Sequence, residues 1–357
     1  MSVSDSDRLF LDATVELAAR GLYSAPPNPK VGCLYVRDGI VLGRGWHQVT
    51  GGPHAEIEAL SDAGGVDQIA GATCYVSLEP CAHHGRTSPC VEALIEGKIA
   101  RVVAAGTDPN PRVSGRGFEL LRAAGIAVEL VELPAARDLN RGYLKQMEHN
   151  LPWVRLKVAG SLDGRTAMAS GESQWITSEA ARADVQHFRA LSSAVVTGIG
   201  TVLADDPALT VRIPENARQP LRVVLDSALR MPANARILKA PGQVLLVTTR
   251  TTDPDPVATE VLALKGQRVP LDELLAALAA RDCNEVLVEA GPELTGAFLA
   301  AGLWDELILY QAPKLLGASA RGLAGFQIDA LADAVEGHIV ETRRIGEDLR
   351  IRMLRSA

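Results

Sequence analysis

Short runs of β-branched and aliphatic residues alternate with longer amphipathic segments along almost the whole chain, and this alternation constrains the fold more than any other feature. The first amphipathic segment, residues 5–20, places its apolar side chains on one helical face, with Asp5 or Ser6 as the expected N-cap and Gly21 as the stop. Strands that alternate with helices pack in layers, so the pattern predicts an α/β protein.

The predicted elements follow one another closely. Strands are predicted over residues 31–37, 40–46, 73–78, 101–105, 126–131, 153–159, 194–197, 221–225, 244–248, 285–289 and 307–311. Further helices are predicted over residues 54–63, 89–96, 115–124, 135–147, 178–190, 271–280 and 292–301. Asp38 and Gly39, between the first two strands, are typical of a tight hairpin turn.

The chain of 357 residues is too long for one ordinary hydrophobic core, which makes two domains the expectation. The pattern breaks at residues 148–152, where a helix ends and a new strand begins. We therefore predict one domain over residues 1–148 and a second over residues 149–357.

Composition narrows the classes of function. The net charge of -7 and the aromatic content of 4% argue against broad contact with a nucleic-acid backbone or with stacked bases. We expect a cytoplasmic protein, because the sequence shows no run of about 18 apolar residues and no signal-peptide pattern. An odd number of cysteines, five, does not suggest a disulfide framework.

The sharpest chemical signal lies between residues 51 and 90. His54 and Glu56 stand at the start of a predicted helix, and Cys81 and Cys90 each directly follow a proline. One histidine and two cysteines provide three zinc ligands, and a catalytic zinc keeps its fourth position open for water. Glu56 is then placed to shuttle protons between that water and a leaving amine. The pattern is typical of zinc deaminases.

Two features of this pattern leave alternatives open. Eight residues separate the cysteines, whereas the general deaminase pattern has two. A structural zinc site, which recruits four protein ligands, would need His83 or His84 as the fourth. The remaining pair, Cys33 and Cys74, falls within predicted strands, and we interpret both as core residues.

The second half carries weaker signals. Residues 198–203 read Gly-Ile-Gly-Thr-Val-Leu, with leucine where a dinucleotide fingerprint needs its last small residue. The strand over residues 285–289 runs into Gly291, Pro292 and a predicted helix, and such a helix N-terminus suits a bound phosphate. Many α/β proteins have this geometry without a ligand, so the residues alone do not identify one.

Longer motifs in both halves are similar to those of one family. They are PNPKVG (27–32), HAE (54–56), LEPCAHHGRTSPC (78–90), DPNP (108–111), SLDGRT (161–166), SGESQWIT (170–177), LADDPALT (203–210), VEAGP (288–292) and APKLLG (312–317). With them the chain resembles the bifunctional deaminase/reductase family of riboflavin biosynthesis, in which the long cysteine spacing is usual.

The resemblance implies a fold and two reactions. The fold is a cytidine-deaminase-like three-layer α/β/α domain followed by a dihydrofolate-reductase-like α/β domain. The first domain would hydrolyse an amino group from 2,5-diamino-6-(5-phosphoribosylamino)pyrimidin-4(3H)-one. The second would reduce the ribosyl group of the product, 5-amino-6-(5-phosphoribosylamino)uracil, to ribityl with NADPH. The family also implies a homo-oligomer, either a dimer or a tetramer.

The resemblance also implies site residues. In the deaminase, Asn28 would bind the substrate, with His47, His83, His84 and Arg86 as further pocket candidates. The implied NADPH contacts are Ala159, Trp175, Thr201, Asp205, Ser227, Gly291, Pro292, Glu293, Leu294, Thr295, Gly296 and Ala297. The implied reductase substrate contacts are Ser173, Arg189, Leu209, Arg212 and Glu289. Whether Lys157 faces this site or solvent stays open at this point.

Two other functions compete with this interpretation. A zinc deaminase that acts on nucleic-acid bases would want a basic face and aromatic side chains, which the composition lacks. A zinc-stabilised binding protein without catalysis would not need Glu56 or the motifs of the second half. The resemblance implies a small phosphorylated substrate instead.

Overall fold

The computed structural model describes residues 3–82, 88–213, 218–250 and 260–356. The chain divides into two compact units, Met1–Asn150 and Leu151–Ala357, two residues after the predicted boundary. Asn150 ends the last helix of the first unit in the left-handed conformation, with φ of 56°. In the described residues, no helix is long and apolar enough to cross a membrane.

The first unit contains one five-stranded sheet. Its helices are α1 (Asp5–Ala19), α2 (Ala55–Asp62), α3 (Cys90–Glu96), α4 (Arg116–Ala123), α5 (Pro134–Leu139) and α6 (Arg141–His149), with a 3-10 turn at Val66–Ile69. Its strands are β1 (Gly32–Arg37), β2 (Ile40–Trp46), β3 (Thr73–Val76), β4 (Arg101–Ala104) and β5 (Ala127–Leu130). The strand order is β2-β1-β3-β4-β5, with β1 antiparallel to both neighbours and β3, β4 and β5 parallel.

Alternating side chains of this sheet supply two separate cores, one on each face. Cys33 and Tyr35 of β1 pack with residues of α2, α3 and α4, whereas Leu34 and Val36 pack with residues of α1 and α5. Because successive side chains of a strand point to opposite faces, both faces must be covered by helices. The predicted three-layer α/β/α arrangement is confirmed.

Helix α2 lies unusually close to strand β2. A Cβ atom added to Gly43 would lie 2.2 Å from the Ala59 carbonyl oxygen, and one added to Gly45 would lie 2.3 Å from the Ala59 nitrogen. Both distances are far below van der Waals contact, so only glycine lets this helix reach the strand. The close approach fixes the helix that is capped by His54 and contains Glu56.

Two local predictions for this unit were wrong. The N-cap of α1 is Ser4, not Asp5 or Ser6, and its hydroxyl forms a capping box with Asp7. The helix predicted over residues 135–147 is two helices, because Asn140 has non-helical dihedral angles. The buried side chain of Asn140 exchanges hydrogen bonds of 2.7 and 2.8 Å with the backbone of Lys30, and this long-range pairing outweighs helix continuity.

The second unit contains a nine-stranded mixed sheet and a small two-stranded sheet. Its helices are α7 (Glu179–Leu191), α8 (Ile199–Asp205), α9 (Arg236–Lys239), α10 (Leu271–Ala279) and α11 (Pro292–Ala300), with a 3-10 turn at Leu331–Asp333. Its strands are β6 (Trp153–Ser161), β7 (Arg165–Ala167), β8 (Ala194–Gly198), β9 (Leu221–Leu225), β10 (Val244–Thr248), β11 (Glu260–Ala263), β12 (Glu285–Glu289), β13 (Glu306–Ala312), β14 (Arg321–Gly322), β15 (Gly337–Ile345) and β16 (Asp348–Arg355).

The strand order of the large sheet is β11-β10-β9-β8-β12-β6-β13-β16-β15. The strands from β11 to β13 are all parallel, and β16 and β15 extend the sheet in antiparallel pairing. One face packs on α10 and α11, and the other on α7, α8 and α9. The carboxyl ends of the parallel strands therefore meet along one edge, where α/β proteins bind ligands. The predicted α/β class holds for this unit as well.

Candidate deaminase and reductase sites

The structure brings His54, Cys81 and Cys90 together in the first unit. The imidazole Nδ1 lies 3.4 Å from the Cys81 sulfur and 3.3 Å from the Cys90 sulfur, and the three candidate ligand atoms lie within 4.8 Å of one another. Zn–S bonds of about 2.3 Å and a Zn–N bond of about 2.0 Å at tetrahedral angles place nitrogen and sulfur about 3.5 Å apart. The observed separations match a zinc cage with three protein ligands.

Each ligand stands at the end of a secondary-structure element. His54 is the N-cap of α2, and Cys90 is the first residue of α3. The backbone N–H of Cys90 donates to the Cys81 sulfur over 3.2 Å, and the side-chain hydrogen bond with Cys90 lowers the pKa of the Cys81 thiol to about 4, with help from His54. A thiolate at this position is ready to bind a metal.

The turn that carries Cys81 is held by Glu79, a residue of the LEPC motif. Its carboxylate accepts hydrogen bonds from the backbone N–H groups of Asp108, Gly115 and Gly117 over 3.0 to 3.3 Å. A buried carboxylate with three donors is strongly fixed in place. Glu79 therefore positions the turn that carries Cys81. Its place in the LEPC motif does not by itself distinguish this structural role from a chemical one.

Glu56 is buried beside the three candidate ligands. Only 3% of its surface is exposed, and the hydroxyl of Tyr35 donates to its backbone carbonyl. Burial raises the pKa of the Glu56 carboxyl to about 7, with the neighbouring Cys81 adding to the effect. A carboxyl group of this kind exchanges protons readily near neutral pH.

Asn28 contacts His47, whose ring lies 5.6 Å from that of the candidate metal ligand His54. The Nδ2 of Asn28 lies 3.0 Å from the Nε2 of His47, and the Nδ1 of His47 lies 2.9 Å from the carbonyl oxygen of Pro53. A carbonyl only accepts, so His47 carries its proton on Nδ1 and accepts from the Asn28 amide through Nε2. Among the described residues the Oδ1 of Asn28 has no hydrogen-bond donor, so it can accept from a ligand. His83, His84 and Arg86 lie outside the described residues.

The second unit contains an open cavity of about 1430 Å³ at the carboxyl ends of the parallel strands. Most of the predicted reductase residues line it. They are Ala159, Ser173, Trp175, Arg189, Thr201, Asp205, Leu209, Arg212, Ser227, Glu289, Gly291, Pro292, Glu293, Leu294 and Ala297. Residues far apart in sequence thus share one cavity.

Two predicted cofactor contacts do not line this cavity. Thr295 is buried, with 2% of its surface exposed, and its N–H bonds to the Gly291 carbonyl within the helix. Gly296 faces the backbone of Gly325, which a Cβ atom would approach to 2.7 Å. Both residues therefore pack the first turns of α11 against the rest of the unit.

The part of the cavity beside β6 and β12 holds a charged trio. Lys157 and Glu289 are paired residues on these two strands, and the Glu289 carboxylate accepts from Arg189 over 2.5 and 3.0 Å. Burial alone would raise the pKa of Glu289, but Arg189 and Lys157 hold it below its usual value. Burial also lowers the pKa of Lys157. The orientation of Lys157, which the sequence left open, is toward the cavity.

A different part of the cavity suits a nucleotide. Gly291 is the N-cap of α11, whose first-turn N–H groups form the positive end of the helix. A Cβ atom on Gly200 or Gly291 would meet no other atom within 4 Å, and both residues line the cavity. The open space at these glycines lets a phosphate approach the backbone closely. The residues present fit the nucleotide that the sequence predicts.

Several basic residues that the sequence analysis did not select also line the cavity. They are Arg182, Arg230, Arg236, Arg268 and Arg321. Arg182 lies over the ring of Trp175 at 4.3 Å, a cation–π contact. Arg230 and Arg268 lie in the loops after β9 and β11, whereas the other three lie within α7, α9 and β14. Only the tertiary arrangement of these elements brings the five residues to one cavity, and the sequence does not reveal it.

Two family models match the chain. The model described as the RibD C-terminal domain matches residues 152–351, and the model described as the cytidine and deoxycytidylate deaminase zinc-binding region matches residues 4–106. Together they cover most of both units. The match to a zinc-binding region includes His54, Glu56 and Cys81.

Relatives and solved structures match over nearly the full length. The riboflavin biosynthesis protein RibD of Escherichia coli K12 is 47% identical over 98% of this chain and 99% of its own. The structure of Acinetobacter baumannii RibD matches with a TM-score of 0.93 at 46% identity, covering 99% of both chains. A diaminohydroxyphosphoribosylaminopyrimidine deaminase/5-amino-6-(5-phosphoribosylamino)uracil reductase from Thermotoga maritima matches with a TM-score of 0.90 at 33% identity, covering 98% of this chain and 99% of its own.

Proposed function

This chain belongs to the RibD family and is a bifunctional deaminase and reductase of riboflavin biosynthesis, and from that premise we propose which residues perform each reaction. The first substrate is 2,5-diamino-6-(5-phosphoribosylamino)pyrimidin-4(3H)-one, and the second is 5-amino-6-(5-phosphoribosylamino)uracil. Support comes from the Thermotoga maritima relative, whose description names both reactions.

In the deaminase, His54, Cys81 and Cys90 hold zinc. The zinc supplies a water acidic enough to attack the pyrimidine near neutral pH. Glu56 would transfer both protons of that water in turn, the first to the ring nitrogen as the hydroxide adds and the second to the amino group, which leaves as ammonia. Asn28 accepts a hydrogen bond from the ring through Oδ1, and His47 keeps its amide in that orientation. The 3.3 and 3.4 Å sulfur–nitrogen separations carry this assignment.

In the reductase, NADPH and the ribosyl group share the large cavity. When bound there, the cofactor would supply the hydride for C1′ of the opened ribosyl group. Arg189 and Arg212 bind the substrate phosphate, and Glu289 orients Arg189. Lys157 is the ionisable donor that faces this part of the cavity and holds the proton that the reduction requires.

The remaining cofactor contacts are assigned by position. Gly291 and the first turn of α11 bind the pyrophosphate, and Ala159 contacts the nicotinamide end. Trp175, Thr201, Asp205 and Ser227 line the rest of the path along the cavity. The homo-oligomer stays a prediction from the family resemblance.

A coupled assay tests both halves and their order. The diaminopyrimidine substrate is incubated with purified protein, with and without NADPH. We expect ammonia release in both reactions and NADPH oxidation only after deamination. If the deaminated substrate gives no NADPH oxidation, the reductase assignment fails, whereas the deaminase assignment can still stand.

Metal analysis tests the ligands directly. We expect about one zinc per chain, and Cys90→Ser should lose most of that zinc together with deamination. Cys283→Ser is the matched control, since this buried cysteine lies in the second unit. A Cys90→Ser protein with full zinc and full deamination would overturn the ligand assignment.

A further inference from the structure

The reductase cavity carries more positive charge than its proposed substrate contacts need. Among the described residues, eight basic side chains and three acidic side chains line it, although the whole chain has a net charge of -7. Arg189 is paired with Glu289, and Arg182 lies over Trp175. Such a local excess in an acidic protein points to an anionic ligand with more than one charged group.

Two of these arginines lie at the far end of the cavity from the charged trio. Arg230 follows the carboxyl end of β9, and Arg268 follows β11 two strands away. Both are exposed, and the described residues form no ion pair with either. Val269, next to Arg268, packs in the same core cluster as Leu225, the last residue of β9. Arg230, Arg268 and Ser227 all line the same cavity, from the loops that follow β9 and β11.

The loop that presents Ser227 and Arg230 is firmly held. The buried carboxylate of Asp226 accepts from the N–H groups of Arg230 and Met231 over 2.5 and 2.8 Å. Leu229 within this loop has a φ of 56°, a conformation that costs a non-glycine residue about 1 kcal/mol or more. A loop kept in such a conformation by buried contacts holds its side chains in fixed positions.

The order of the strands orients the cofactor. The pyrophosphate contacts lie after β12 and the hydride acceptor lies beside Lys157 on β6 and Glu289 on β12, so the adenosine end extends over β8 and β9. Neighbouring strands are about 4.8 Å apart, so β6, β12, β8 and β9 together span about 14 Å. An adenosine on this course reaches the loop after β9, which contributes Ser227 and Arg230 to the cavity lining, and Arg268 after β11 lines the same cavity.

We propose that Arg230 and Arg268 bind the 2′-phosphate of the adenosine ribose and so make the reductase select NADPH over NADH. This inference rests on the proposed function, which puts the dinucleotide in this cavity. Guanidinium groups suit a phosphate because they donate paired hydrogen bonds to its oxygens. NADH has a hydroxyl at this position and gains nothing from the two charges.

The test measures binding without turnover. Dissociation constants for NADPH, NADH and 2′,5′-ADP are determined by calorimetry on the full chain without pyrimidine, for the wild type, Arg230→Met, Arg268→Met and the double variant. We expect each substitution to weaken NADPH and 2′,5′-ADP about 10-fold or more, the loss of one charge-assisted hydrogen-bonding partner, and to change NADH less than about 3-fold. The preference of the wild type for NADPH should also decrease with added salt.

Lys239→Met is the matched control. Lys239 is an exposed cation of the nearby helix α9 that does not line the cavity, so its removal should leave all three constants unchanged. Thermal unfolding checks that each variant is folded, which the exposed position of both arginines favours.

Each other outcome overturns the proposal in a recognisable way. Equal weakening of NADPH and NADH would place the arginines at the pyrophosphate. Unchanged NADPH binding in the double variant would make them solvated loop residues. A wild type that binds NADPH no more tightly than NADH would remove the selectivity itself. If the wild type bound neither nucleotide, the proposed function of the cavity would fail as well.

Discussion

The site of the first unit is small and local, whereas the cavity of the second unit is large and collected from many strands. Three candidate metal ligands lie within 4.8 Å of one another, and Glu56 is buried beside them. The second cavity measures about 1430 Å³ and takes its lining from the ends of β6, β8, β9 and β12. A bond-breaking step depends on the positions of a few atoms, whereas the binding of two large ligands depends on many separate contacts.

This difference predicts how each site responds to substitution. A compact site in which one group transfers protons should fail when that group is changed. A distributed site should lose activity in smaller steps, because many contacts share the binding free energy. Five substitutions test the comparison, in the order of their expected effects.

Glu56→Gln should have the largest effect. We expect deamination to fall by about 100- to 10,000-fold, because the amide cannot transfer the proton, while zinc content and reductase activity stay unchanged. Ammonia release, metal analysis and NADPH oxidation with deaminated substrate measure the three quantities. Glu58→Gln is the control, with the same charge change in the same first turn of α2. Similar losses of deamination in both variants would mean that the reaction depends on the negative charge of the first turn of α2 and not on Glu56 itself.

Arg212→Met should have a smaller effect, confined to the second reaction. Losing one guanidinium from the substrate phosphate should lower the reductase kcat/KM by about 10- to 100-fold, mainly through KM, and leave deamination unchanged. Steady-state kinetics with deaminated substrate measure it. Arg343→Met, an exposed arginine of β15, is the control. A loss as large as that of Glu56→Gln would contradict the distributed character of the cavity.

Asp7→Asn tests whether the compact unit also depends on one charged anchor. Burial would raise the pKa of Asp7, but hydrogen bonds from Arg101, Tyr75 and Ser4 hold it well below its usual value. The folded pKa is depressed, so the carboxylate stabilises the fold above its unfolded pKa of about 3.9, and this is lost as the pH falls toward the folded pKa.

We therefore expect Asp7→Asn to destabilise the first unit by about 1–3 kcal/mol at pH 7. Denaturant unfolding at several pH values measures it, and the difference from wild type should shrink below about pH 4. A difference that stays constant down to pH 3 would show that the ionisation of Asp7 is irrelevant. Asp5→Asn, an exposed aspartate of the same helix, is the control.

Substitutions of the helix caps should have the smallest effect on stability. Ser4 caps α1 within a local capping box, whereas Ser178 caps α7 and also donates to buried Asp348 over 2.8 Å. Ser4→Ala should cost about 1 kcal/mol and Ser178→Ala more, because it also leaves a buried carboxylate short of a donor. Equal costs, measured by denaturant unfolding, would mean that the link to Asp348 contributes nothing.

The parts of the fold that local patterns encode could be predicted closely from the sequence. The strands β9, β10 and β12 have the predicted bounds, because each is a short apolar run buried on both faces. Strands β15 and β16 were missed. Most of β15 is exposed, and β16 buries the charged Asp348 and Arg350, so no apolar alternation marks the pair.

The candidate sites divide in the same way. The spacing of His54, Cys81 and Cys90 predicts ligands that the structure places at metal-binding distances, because ligand chemistry restricts the residue types so strongly. Arg230 and Arg268 could not be selected from sequence, since only the order of the strands brings the loops after β9 and β11 to one cavity. A solvated loop arginine and a phosphate-binding arginine have the same local sequence pattern.

The contact between α2 and β2 has a consequence for how this family can vary. Every replacement of glycine adds at least one carbon, and at Gly43 or Gly45 that carbon would overlap the backbone of Ala59. The helix would have to move away, and its N-cap is the candidate metal ligand His54. We therefore expect Gly43 and Gly45 to be as invariant in the family as the residues that carry out the reaction, although β2 contributes no ligand. A ranking of positions by invariance would not distinguish the two glycines from catalytic residues.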